Sequence, residues 1–133
     1  MILPHEQTFG GPKEDRLALM KATKCQLSPI FGLYADPRNL VGKAFTTTAT
    51  AMPNATAMLN GVQNDMWVVT DPSVIDSVVS TVNDGKLYIA DGHHRYGTAL
   101  MYQSWAKEQN GGTLPEDHPA NFVMFVLASM DDP

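Results

Sequence analysis

Lys86-Leu87-Tyr88-Ile89-Ala90-Asp91-Gly92-His93-His94-Arg95-Tyr96 is the stretch on which the fold class turns. Lys86 to Ala90 reads as a strand, with the apolar composition a buried strand uses after its first residue. Asp91-Gly92 ends it, and the residues beyond predict a helix from about His93 to Lys107, stopped by Gln109-Asn110-Gly111-Gly112. On the amino side, Asp65-Met66-Trp67-Val68-Val69-Thr70 reads as a strand, and Asp71 caps a helix with Pro72 at its first position. Val74, Ile75, Val78, Val79 and Val82 give that helix an apolar stripe, and Asn83-Asp84-Gly85 closes it. On the carboxyl side, Asn121 to Leu127 is continuously apolar after its first residue, which predicts a strand buried on both faces. Strand, helix, strand, helix, strand from Asp65 to Leu127 implies a crossover with some parallel pairing, and the class is α/β or mixed α+β.

Further out the pattern is sparser. Gly10-Gly11-Pro12 is a breaker that places Pro12 in the first turn of a helix reaching about Lys24, with Lys13-Glu14-Asp15-Arg16 in its opening turns. Pro29-Ile30-Phe31-Gly32-Leu33-Tyr34 reads as a buried strand closed by Asp36-Pro37, and Pro37 to Ala44 as a short helix. Between Lys43 and Asp65 the chain carries no charge. The Thr/Ala/Met/Asn-rich part of it reads either as a covered sheet or loop segment or as a flexible excursion. No repeat and no linker interrupts the chain, so residues 1–133 are expected to be a single domain.

The chain has 133 residues, 44% hydrophobic and 17% charged, which suffices for a core without disulfides or a structural metal. No apolar run approaches the roughly 18 residues of a membrane span, and the N-terminus lacks the pattern of a signal peptide. A cytoplasmic protein without membrane contact is the expectation. The net charge of −5 weighs against a nucleic-acid surface, because phosphate-backbone binding draws on clustered Lys and Arg. Cys25 is the only cysteine, which excludes an intramolecular disulfide and Cys-rich zinc frameworks.

Chemistry is expected where the strand ending at Ala90 meets the helix starting at His93, since ligands of α/β sheets bind at the carboxyl ends of strands. Free N–H groups and the positive end of the helix dipole favour an anion there. Gly92 admits a ligand close to the backbone, and Arg95 with two imidazoles supplies donors for phosphate or carboxylate. Asp91 reads equally as an ordinary helix cap. His93 and His94 project about 100° apart and do not close on one ion, so no metal site is expected. Glu6, in His5-Glu6-Gln7-Thr8, is a general base if it faces a cleft and part of a solvated terminus if it does not. No Walker A, nucleophile-elbow, H-E-x-x-H or dinucleotide-binding motif is present.

His5-Glu6-Gln7-Thr8, Gly11-Pro12-Lys13-Glu14-Asp15-Arg16-Leu17, Leu27-Ser28-Pro29-Ile30-Phe31-Gly32-Leu33-Tyr34, Trp67-Val68-Val69-Thr70-Asp71-Pro72 and Leu87 to Leu100 together resemble a bacterial family, the conserved domain of unknown function 1015. The likeness covers nearly the whole chain except Phe45 to Gly61. It corresponds to the central portion of longer family members, so the chain is expected to be an excised part of a longer protein. That family in turn resembles the ParB/sulfiredoxin superfamily and its free-serine kinases, which carry an Asp-Gly-His-His-Arg-type turn. The resemblance implies a small mixed sheet flanked by helices that binds nucleotide phosphates and phosphorylates a small hydroxyl substrate. It implies Glu6 and Asp91 as catalytic groups, with Gly92, His93, His94, Arg95, His5 and Arg16 binding nucleotide and substrate. Mg²⁺ with ATP or ADP is the implied cofactor, the metal being held largely by phosphate oxygens and water. Two other readings stand beside it, a ParB-like regulatory module acting through a partner or DNA and a non-catalytic structural domain.

Overall fold

The computed structural model describes residues 1–4 and 11–131, and divides the chain into two compact units. One comprises 2–34 and 87–128; the other comprises 35–86 with Met1 and 129–131.

The first unit is built on a four-stranded sheet. Strand β1 (Ile2–Leu3) runs parallel to β5 (Leu87–Asp91), β5 runs antiparallel to β2 (Ile30–Tyr34), and β6 (Phe125–Ser129) completes the order β1-β5-β2-β6. The intervening numbers belong to the second unit, whose strands are β3 (Ala55–Leu59) and β4 (Val62–Met66). Helix α1 is Gly11–Thr23 and α4 is His93–Gln109; α2 (Leu40–Ala49) and α3 (Pro72–Asn83) lie in the second unit. Alternation along β2 buries Ile30, Gly32 and Tyr34 and leaves Phe31 exposed. Ile89 pairs opposite Gly32, and Ile30 and Ile89 are the largest fully buried apolar side chains of the chain's described part. A Cβ on Gly32 would stand 2.9 Å from Leu127 Cδ2 and 3.0 Å from Leu87 Cδ1, so the bare backbone lets side chains of β5 and β6 close over β2.

α1 and α4 pack against each other. The Lys13 stem crosses Gly97, whose Cβ would lie 3.3 Å from Lys13 Cε, and Lys21 Nζ stands 5.0 Å over the Trp105 ring. Residues eight apart on α1 thus meet residues eight apart on α4 in the same sense. The two helices run in the same direction, as two helices following neighbouring parallel strands should, and their amino ends lie at the same end of the unit.

In the second unit, α2 packs on α3, and β3 pairs with β4 in a two-stranded hairpin. Asp71 caps α3 as expected, accepting the Ser73 N–H at 2.9 Å, with Pro72 in the first turn. Ile75 and Val79 nevertheless remain 42% and 50% exposed, so only part of the predicted apolar stripe is covered. Asn39, at the start of α2, is left-handed and makes no side-chain cap. Asp36 replaces it: its carboxylate accepts the N–H groups of Leu40 (2.9 Å) and Val41 (2.8 Å), two donors the helix leaves unpaired, while its own N–H donates to Asp131 at 2.7 Å. These bonds, the Leu40 N–H foremost, hold the Asp36 carboxyl below the ordinary value of 3.8. Asp71 and Asp65 are lowered too, by Ser73 and by Thr56 with Gln63. A carboxylate whose pKa is lower folded than unfolded stabilises fully above its unfolded value and loses that contribution as pH falls through the folded one. The 35–86 unit is therefore expected to loosen on acidification below about pH 4, and Asp36→Asn to flatten that dependence, as amide exchange of α2 measured against pH would record.

Three expectations are corrected. Residues 65–70 do not form a strand of the main sheet: β4 stops at Met66, and the Val68 N–H donates to Asn54 Oδ1 (2.8 Å) while Trp67 Nε1 donates to the Ala51 carbonyl (2.9 Å). Asn60 and Gly61, with φ of 51° and 80°, form the two-residue turn that folds β3 onto β4. That turn explains the uncharged stretch as a hairpin, all of whose strand residues are exposed. The parallel pairing consequently joins β5 to β1 rather than to the 65–70 segment. The last strand is not buried on both faces: β6 ends the sheet, and Val126 is 51% and Leu127 38% exposed. The predicted helix over 37–44 begins later and runs longer, as α2.

Candidate anion-binding site

β5 ends at Asp91 and α4 begins at His93, with Gly92 as the hinge. The β5–β2 register slips here: Ile89 faces Gly32, but Asp91 faces Phe31, leaving Ala90 as the extra residue. Gly92 takes φ +95° and ψ 25°, a left-handed conformation that suits glycine, and its carbonyl accepts the Tyr96 N–H at 2.9 Å. It therefore occupies the cap position that sequence assigned to Asp91. Gly92 has no side chain with which to cap α4, and the helix begins at this left-handed hinge.

Arg16, Asp91, Gly92, His93, His94 and Arg95 line one depression of about 110 Å³ at this helix start. Clefts for drug-sized ligands run to about 300–1,000 Å³; this one suits a single charged group. Arg16 comes from α1 and is exposed, while His93 is 6% exposed. Arg95 is held on two sides, donating to the Pro29 carbonyl and pairing with the Asp91 carboxylate one turn back. The Asp91 side chain is 75% exposed against 23% for Arg95, so the pair opens on the Asp91 side at little cost. Pro29 is the residue sequence analysis missed. Only the proximity of β2 to β5 finds it, because its role is that of a backbone carbonyl 66 positions away.

His94 Nδ1 is buried and has no hydrogen-bond partner among the described residues. A buried ring nitrogen without a partner carries a desolvation penalty that a ligand or water removes. Beyond this depression, Arg16 and Arg95 also line a neighbouring hollow of about 100 Å³ with Leu19, Met20, Ser28 and Thr98. The two arginines thus border both spaces. Of the residues expected in the site, Gly92, His93, His94, Arg95, Asp91 and Arg16 are brought together, whereas His5 and Glu6 lie outside the described residues.

The glycine can be tested directly. A Cβ at position 92 would stand 2.9 Å from Arg95 Nε and 3.0 Å from Cζ, in a backbone region that costs an L-residue about 1–2 kcal/mol. Gly92→Ala is expected to lower stability by at least that much and to displace Arg95; a melting temperature equal to wild type would refute the assigned backbone.

Comparison with known proteins adds one relation. No curated protein and no solved structure matches the chain. Among the described residues no helix is long and apolar enough to cross a membrane. A family profile, however, matches from the first residue to the last, and on that match over residues 1–133 the chain belongs to the family described as "Protein of unknown function (DUF1015)".

Proposed function

We propose that the amino end of α4 binds the phosphate of a nucleotide, and that the protein uses this site to transfer a phosphoryl group to a small hydroxyl substrate such as free serine. The observation that carries the reading is the glycine-hinged start of α4 sharing one small depression with two arginines and two histidines, one of which has a buried ring nitrogen without a partner among the described residues. Phosphoryl transfer asks for positioning and charge neutralisation more than for covalent help, and this donor set supplies both. The donors fit a phosphate: backbone N–H groups at the helix start, a planar guanidinium suited to two oxygens, and a buried imidazole nitrogen short of a partner. Mg²⁺ would arrive with ATP or ADP, held by phosphate oxygens and water, with Asp91 as the carboxylate lining the depression. The metal would neutralise charge on the transferred group. Glu6, which follows β1 in sequence, is proposed as the base that takes the hydroxyl proton, and His5 as a second binding group.

The test is thermal. Melting is followed with and without millimolar Mg²⁺ and ATP, ADP, CTP or inorganic phosphate. A ligand at about 100 times its dissociation constant stabilises by about 2.7 kcal/mol, a rise on the order of 10 °C for a chain of this size. A shift with ATP or ADP leads on to an acceptor screen starting with serine, in which Glu6→Gln should retain binding and lose transfer. No shift with any of the four would sink the proposal for this chain.

A further inference from the structure

A second and larger cavity lies in the same unit. It measures about 500 Å³, within the range of small-molecule clefts, and opens between the carboxyl halves of α1 and α4 and the short 3-10 helix Pro119–Asn121. We infer that it binds a flat, mostly apolar anion, an aryl carboxylate in chemical class.

Tied walls frame the space. Gln26 spans the gap beneath it, donating from Nε2 to the Phe122 carbonyl at 2.7 Å and accepting the Met124 N–H on Oε1 at 2.5 Å. Gln103 donates to Asn121 Oδ1 at 3.0 Å, and Asn121 donates to the Pro115 carbonyl at 2.7 Å, which fixes the 3-10 turn against α4. A void framed by side chain to backbone bonds resists collapse, and filling its apolar lining returns the dispersion contacts it lacks.

The lining specifies the occupant. Tyr102, Trp105 and Phe122 present aromatic surface, with Met20, Ala99 and Ala106 as smaller apolar neighbours. Tyr102 and Trp105 are already in ring contact at 5.4 Å, a surface on which a third ring can pack. The polar part is one-signed. In a chain of net charge −5, the described residues lining this cavity include Lys24 and His118 and no Asp or Glu. Lys21, over the Trp105 ring, adds a second cation nearby. His118 Nδ1 accepts the Ala120 N–H at 3.1 Å, which leaves the ring proton on Nε2 as a donor. A ligand with a ring and one carboxylate satisfies both halves of this lining, the ring on the aromatic surface and the carboxylate toward Lys24 and His118.

The probe is 2-naphthoate, titrated into the ¹⁵N-labelled chain while the two tryptophan indole N–H signals are followed, Trp67→Phe serving to assign them. At the efficiency of about 0.3 kcal/mol per heavy atom, its dissociation constant is expected near 1 mM or tighter. The Trp105 signal should move and saturate, and the uncharged 2-naphthamide should bind more weakly. Lys24→Gln should weaken naphthoate about fivefold and leave the amide unchanged, as expected for one exposed charge. Arg95→Ala should leave the titration unaltered, which separates this cavity from the α4 amino end and makes its failure independent of the nucleotide reading. A Trp105 signal unmoved at 10-fold that concentration, or equal binding of acid and amide, would overturn the assignment.

Discussion

Arg95→Ala is expected to abolish the rise in melting temperature that Mg²⁺ with ATP or ADP produces in the wild-type chain. Arg95 touches three parts of the site: the Asp91 carboxylate, the Pro29 carbonyl just before β2 and the space at the start of α4. Removing it takes away the group best matched to two phosphate oxygens and leaves the Pro29 carbonyl without that donor. Hydrogen bonds to charged groups contribute about 1.5–3 kcal/mol each, so loss of even one such contact lowers affinity by 10-fold or more. Two companion variants separate binding from mere support. Arg95→Lys keeps the charge but not the fork, and should restore part of the response. Asp91→Asn frees Arg95 from its ion pair, and should tighten binding of inorganic phosphate measured without Mg²⁺. If Arg95 served only to anchor β5 to β2, Asp91→Asn would change stability and leave phosphate affinity where it was.

Ile89→Ala should cost about 2–5 kcal/mol of stability and lower the melting temperature by roughly 10 °C or more. Ile89 is 1% exposed on the central strand β5, opposite Gly32, where the flanking side chains are already closed over the missing Cβ. The neighbours are held by ladders on both sides of β5, so they relax little into the space the deleted carbons leave, and the cavity cost adds to the transfer cost. Ile75→Ala is the matched control. The same atoms are removed from α3, but Ile75 is 42% exposed, and the loss should stay below about 1 kcal/mol. Equal losses at the two positions, read in denaturant melts, would contradict the burial that the sheet imposes.

Much of the local structure was legible because its cause is local. Pro12 and Asp71-Pro72 announce helix starts by supplying a fixed φ and a capping oxygen, and α1 and α3 begin where they stand. The turn at Gly92 was legible for the same reason, since a glycine between an apolar run and a helical one answers a backbone need. The Asn60-Gly61 turn was equally visible in principle, being the strongest short hairpin signal a sequence carries. Its uncharged flanks fit a covered sheet or loop segment and a flexible excursion equally, while Asp65 to Thr70 has the composition of a strand.

What the sequence by itself determined is the mixed α/β character, the position of the helix starts and the strand–turn–helix that gathers Asp91, Gly92, His93, His94 and Arg95, all of which depend on interactions within a few residues. Only the tertiary structure decided the rest: that β5 pairs in parallel with β1, that β6 is an edge strand with half-exposed Val126, that Arg16 joins the depression from α1, and that Pro29 holds Arg95 from the residue before β2. Each of these joins residues tens of positions apart. Apolar pattern records whether a residue is to be buried, but not which distant strand or helix buries it, because burial favours any apolar neighbour and only the assembled sheet selects one.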